Sequence, residues 1–138
     1  AGGVIPRVPP ADERQGHDRR MFPSRTASVA GARRWVGARL PDIGSEAQDT
    51  VGLLVSELAA NAVQHGGTPF TVQVDRFDDR VRVAVTDEGG GRPQLRDQDP
   101  LAASGRGLRL VDGLAAAWGI TEVWPSSTTV WFTVPARS

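Results

Sequence analysis

The segment from Val51 to Gly67 constrains the fold more than any other: Val51-Gly-Leu-Leu-Val-Ser-Glu57-Leu-Ala-Ala-Asn61-Ala-Val-Gln-His65-Gly-Gly67. Val51, Leu54, Val55, Leu58 and Ala62 recur at three- and four-residue steps, the spacing that gathers apolar side chains on one face of a helix. Such a helix must lie on a core. Ser45 followed by Gln48 reads as a capping box at its start, and Gly66-Gly67 supplies its end, so the helix spans about Glu46 to His65. Glu57 and Asn61 stand one turn apart along the border of the apolar face. A carboxylate and an amide held at the edge of a core suit the wall of a site; alone, they also fit two polar residues on a half-exposed surface.

The period changes on either side of this helix. Before it, Val29, Ala32, Val36 and Leu40 have helical spacing, with Ser24 or Thr26 as the cap and Pro41 as the stop. After it, Phe70, Val72 and Val74 alternate with polar residues, Asp78-Asp79 makes a turn, and Val81, Val83 and Val85 alternate again. That is an antiparallel hairpin with one buried face. Residues 89 to 104 show no sustained period and read as a long loop. Leu108, Val111, Leu114, Ala115 and Trp118 restore helical spacing up to Gly119, and two strands, 120–124 and 128–134, follow around Pro125-Ser-Ser. One-sided helices and one-sided strands bury best as a two-layer α/β sandwich. The expected fold is α+β: a mixed, mainly antiparallel sheet of four or more strands, covered on one face by three helices.

A chain of 138 residues suits one domain. The sixteen basic residues, all Arg, balance sixteen acidic ones, so overall charge points to neither nucleic acid nor membrane. Through Arg39, however, eight Arg face only Asp12, Glu13 and Asp18. Residues 1–22, with Pro6, Pro9 and Pro10 among glycines and charges, read as a flexible basic tail ahead of a domain at 23–138. The absence of cysteine removes disulfides and thiolate metal sites. There is no apolar run of membrane-spanning length and no secretory signal at the start, which fits a cytoplasmic protein.

Asp87-Glu-Gly89-Gly-Gly91 follows the second strand, and Gly105-Arg106-Gly107-Leu108 opens the last helix. A Glu-x-x-x-Asn helix, then Asp-x-Gly-x-Gly, then Gly-x-Gly-Leu, in that order, resembles the Bergerat-like ATP-binding domain shared by gyrase, a class of heat-shock chaperones, histidine kinases and the mismatch-repair MutL proteins. The residue chemistry agrees with a nucleotide ligand. Asp87 would accept a hydrogen bond from an exocyclic amine at the base end, where no phosphate repels it. Gly89 and Gly91 let the backbone approach a ligand. Gly105 and Gly107 precede a helix N-terminus suited to anions, where Arg106 and Arg109 add positive charge. One amide oxygen from Asn61 would suffice for Mg²⁺ that also binds phosphates and waters. Glu57 could take a proton from an attacking hydroxyl, while His65 better suits capping of the last helical turn.

By likeness, Glu57 is the general base, Asn61 the Mg²⁺ ligand, Asp87 the adenine reader, and Gly89, Gly91, Gly105, Arg106, Gly107 and Leu108 the hinges and phosphate cradle of a lid over residues 89–104. Thr128 matches the threonine that assists Asp87, with Thr129 as its rival. Compact size and the phrase Ser-Gly-Arg-Gly-Leu-Arg-Leu-Val-Asp are most similar to bacterial anti-sigma-factor serine/threonine kinases. That resemblance implies a sigma factor and a serine-bearing antagonist protein as partners, and a homodimer. Neither direct nucleic-acid binding nor membrane association is expected. The alternative is a non-catalytic regulator in which ATP shapes a partner-binding surface.

Overall fold

The computed structural model describes residues 16–88, 106–123 and 127–137. In chain order these form β1 (Gly16–Phe22), α1 (Ala27–Ala38), α2 (Ser45–Gly66), β2 (Phe70–Arg76), β3 (Arg80–Asp87), α3 (Arg106–Leu114), β4 (Ala117–Val123) and β5 (Ser127–Pro135). The strands make one sheet in the order β1-β2-β3-β5-β4, every pairing antiparallel. All three helices lie on one face, so the α+β sandwich expected from periodicity is present with one strand more than the sequence displayed.

The two faces follow from the alternation of side chains along each strand. Val72, Val74, Val81, Val83, Phe132 and Val134 turn toward the helices and join Leu54, Val55, Leu58 and Val36 in a single core. On α2, the residues buried are Ala47, Val51, Leu54, Val55, Leu58, Ala59 and Ala62, the stripe its three- and four-residue spacing requires. The helix ends where Gly67 adopts φ +70°, a left-handed turn that glycine makes without steric cost.

The opposite face is polar and layered by register. His17, Asp75, Arg82 and Thr133 form one row; Ala84, Trp131 and Gly119 form the next; Thr71, Thr86, Thr129 and Thr121 form a third. Asp75 is 3% exposed. It is matched by His17 Nδ1 at 2.5 Å, Gln73 Nε2 at 3.2 Å and Arg82 Nη1 at 3.7 Å. Arg82 lies over the Trp131 ring; burial lowers its pKa, and Asp75 opposes that shift by favouring the charged form. Thr86 and Thr129 share a hydroxyl–hydroxyl hydrogen bond of 2.7 Å.

Three local expectations are corrected. Residues 16–22, assigned to the tail, are an edge strand in register with β2 from Gly16↔Arg76 to Phe22↔Phe70. Its composition hides this because an edge strand is held mainly by its backbone: only Phe22 is buried, stacked on Phe70 at 5.6 Å and edge-on to Trp35 at 6.1 Å. Trp118 and Gly119 belong to β4 and not to the last helix. Helical spacing there was coincidental, since Leu114 is 46% exposed and Gly119 faces Trp131 so closely that a Cβ would lie 2.8 Å from the indole.

The Ser45–Gln48 capping box does not form. Gly44 is the N-cap of α2, and Gln48 instead donates through Nε2 to the Leu40 carbonyl, because the short α1–α2 connection brings that carbonyl over the first turn. Thr26 takes the N-cap position of α1 without a side-chain capping bond. Gly89, Gly91 and Gly105, the proposed lid over 89–104, Pro125 and Ser126 of the expected Pro125-Ser-Ser turn, and the first fifteen residues lie outside the described residues.

Candidate functional site

Topology brings the predicted residues to one end of the sheet. The chain leaves α2 at Gly66 and begins β2 at Phe70, which pairs with Asp87, the last residue of β3. Asp87 in turn pairs with Thr128 near the start of β5, and Thr128 with Glu122 near the end of β4. Directly paired residues of antiparallel strands project to the same side. Phe22, Phe70, Asp87, Thr128 and Glu122 therefore form one row, and since Phe70 is buried in the core, that row faces the helix layer. Asp87 and Thr128 lie on the side of the sheet that α2 covers.

The helices are oriented to match. The start of α2 is tied to the opposite end of the sheet, where Gly44 N donates to Ala136 O at 3.1 Å, so its C-terminal half runs toward Asp87. After α3, Ala116 N donates to Thr133 O at 2.8 Å, which places the end of that helix at the opposite end of β5 and directs its N-terminus, with Arg106, Gly107 and Leu108, toward the Asp87 row. The α3 N-terminus and the α2 border with Glu57 and Asn61 thus flank one region. α2 and α3 pack against each other.

Glu57 and Asn61 are both half-buried, one helical turn or about 6 Å of rise apart. The Asn61 side chain makes no hydrogen bond among the described residues, while Glu57 and Asp87 each engage a partner. Thr128 is 5% exposed. Register separates the two threonines: Thr129 is on the polar face, bonded to Thr86, and Thr128 stands opposite Asp87. Two residues here were not anticipated. Thr68, just past the end of α2, has a buried Oγ1 with no hydrogen-bond partner among the described residues, and Glu122 closes the row beside Thr128. Neither carries a periodic or motif signal; only strand pairing places Glu122, and only burial marks Thr68.

A family model, the histidine kinase-like ATPase domain, matches residues 22–134. The chain belongs to this family. No curated protein matches the chain. The match starts at Phe22, so most of β1 precedes it, and it takes in α1 through nearly all of β5.

As a histidine kinase-like ATPase domain the chain is an ATP-binding domain, and the residues present suit that ligand. The helix-facing row offers a carboxylate acceptor beside a buried hydroxyl, the donor and acceptor pair a base edge requires. The Thr68 hydroxyl is buried with no hydrogen-bond partner among the described residues, a condition rare enough in folded interiors to call for a ligand or water, and the half-buried Asn61 amide makes no hydrogen bond among the described residues. Arg106, Gly107 and Leu108 belong to α3 at the same end. His65 is in the last turn of α2. Among the described residues, no helix is long and apolar enough to cross a membrane, and no group of three or more His, Cys, Asp or Glu converges as a metal cluster.

Proposed function

We propose that this domain is an anti-sigma regulatory kinase of the bacterial cytoplasm, which binds ATP with Mg²⁺ and phosphorylates a serine or threonine hydroxyl on a protein antagonist. The observation that carries the proposal is the placement of Glu57 one turn before Asn61, on the α2 border that covers the Asp87–Thr128 side of the sheet. A module that only bound nucleotide would have no use for a carboxylate at that position.

The roles follow from the chemistry of each group. Asp87 accepts a hydrogen bond from the adenine amine, and Thr128 beside it supplies a hydroxyl that donates or accepts. The Asn61 amide oxygen would hold Mg²⁺, which needs few protein ligands when phosphates and waters supply the rest. The N–H groups at the start of α3, with Gly105, Arg106, Gly107 and Leu108, receive the phosphate tail, while Gly89 and Gly91 let the chain close over it. When bound, ATP supplies the phosphoryl group and Mg²⁺ neutralises its charge. Glu57 takes the proton of the attacking hydroxyl. The partners are a sigma factor and a serine-bearing antagonist, and the domain acts as a homodimer.

The test is transfer of label from ATP to small serine-bearing antagonist proteins of the same genome. Glu57→Ala is expected to lower the rate by about 10²- to 10⁴-fold while ATP affinity is retained. Undiminished transfer in the variant would remove Glu57 as the base. No transfer to any antagonist by wild type that binds ATP would favour a non-catalytic regulator.

A further inference from the structure

The first third of the chain carries most of the unbalanced arginine, and the fold sorts those residues. Arg19 pairs opposite Gln73 and is on the polar face of the sheet. The stem of Arg33 rests against Gly52 of α2. Arg39 is stacked on Trp35 at 5.5 Å. Arg20, Arg25 and Arg34 behave differently: all three line one recess of about 510 Å³ between β1 and α1, whose wall includes Phe22, Gly31 and Trp35. Each of the three is exposed, and none has an ion pair among the described residues. Asp18, the carboxylate on the same side of β1 as Arg20, does not line the recess.

Two further features describe the occupant. Arg20 is held over the Phe22 ring at 5.1 Å, so part of its rotamer freedom is already lost and its planar fork is presented for bidentate contact with carboxylates. β1 is also the edge of the sheet among the described strands, leaving main-chain donors and acceptors along its outer side for an added strand. We propose that this recess is a docking site for an extended acidic segment of a protein partner, laid along the outer edge of β1 with its carboxylates toward Arg20, Arg25 and Arg34. The proposal rests on the reading that the domain acts on protein partners, and it gives that partner a chemistry. Nucleic acid fits less well, because the cations are gathered in one recess and form no continuous stripe. Phe22 is at the same end of the sheet as Asp87, so a segment held here reaches the end at which nucleotide binds.

The experiment uses the full chain and fluorescence anisotropy with three labelled probes: an Asp/Glu-rich peptide, its Asn/Gln counterpart and a single-stranded oligonucleotide of equal charge. The acidic peptide is expected to bind about tenfold tighter than the neutral one, less so as salt rises. Arg25→Glu with Arg34→Glu is expected to abolish that preference, whereas Arg19→Glu with Arg33→Glu, the same change of charge outside the recess, should keep it within about twofold. Equal loss in both pairs of substitutions, no preference in wild type, or tighter binding of the oligonucleotide would each overturn the proposal. ATP affinity of the recess variant should equal that of wild type; a parallel loss would show these arginines acting through the fold and would also overturn it. Wild type that binds the acidic peptide but transfers no phosphate would sink the kinase reading and leave the docking site standing.

Discussion

The two ends of the sheet are built on different terms. At the Arg80–Pro135 end, main-chain groups are tied across elements: Phe77 N to Arg80 O, Ala136 N to Asp79 O, and Gly44 N to Ala136 O, all within 3.1 Å. Leu40 is fully buried there and its carbonyl accepts from Gln48. At the Asp87 end, a carboxylate and a buried hydroxyl face the helices, the Asn61 amide and the Thr68 hydroxyl have no hydrogen bond among the described residues, and the chain enters and leaves through glycines. An unsatisfied buried polar group costs about 1–3 kcal/mol. Arg76 Nε, at the bonded end, is likewise buried without a hydrogen-bond partner among the described residues. What separates the two ends is therefore the main-chain ties of one and the helix-facing polar row of the other, and stability and binding should respond to different substitutions.

The largest expected effect is at the bonded end. Leu40→Ala should lower unfolding free energy by about 2–5 kcal/mol, read from the denaturant midpoint, with ATP affinity of the folded protein unchanged; a loss of affinity at constant stability would break the division. At the other end, Asp87→Asn removes an acceptor and should weaken ATP by roughly ten- to a hundredfold in calorimetric titration, with little change in melting temperature. Equal binding by the variant would displace Asp87 from the base site.

The middle of the sheet sharpens the contrast. Gly119→Ala pushes a methyl group against the buried Trp131 ring and should destabilise by about 1–3 kcal/mol. Because the clash is on the polar face, away from the Asp87 row, nucleotide affinity should hold. A fall in affinity comparable to that of Asp87→Asn would mean that the two faces communicate. The smallest effect is expected from Gln48→Ala, which deletes the bond to the Leu40 carbonyl and should cost about 0.5–1.5 kcal/mol. An unchanged thermal midpoint there would show that water replaces the amide without loss.

The sequence by itself determined the elements whose side chains carry the signal. The stripe of α2, the alternating valines of β2 and β3, and Phe132 and Val134 of β5 are buried as their spacing demands, because a period of 3.6 or 2 is imposed by local backbone geometry wherever one face must meet a core. The border position of Glu57 and Asn61 was legible for the same reason. Tertiary structure alone decided the rest. β1 was invisible because a strand held by backbone pairing to β2 needs no apolar alternation of its own, and Gly16–Arg20 show none. Trp118 and Gly119 matched a helical period by chance and were drawn into β4 by Trp131, which fills the space a Cβ at Gly119 would take. Gln48 served a carbonyl brought to it by the α1–α2 turn, a partner no local pattern names. Thr128 could be separated from Thr129 only by register, since one residue of slip exchanges the faces of a strand, and register is settled by the neighbouring strands together.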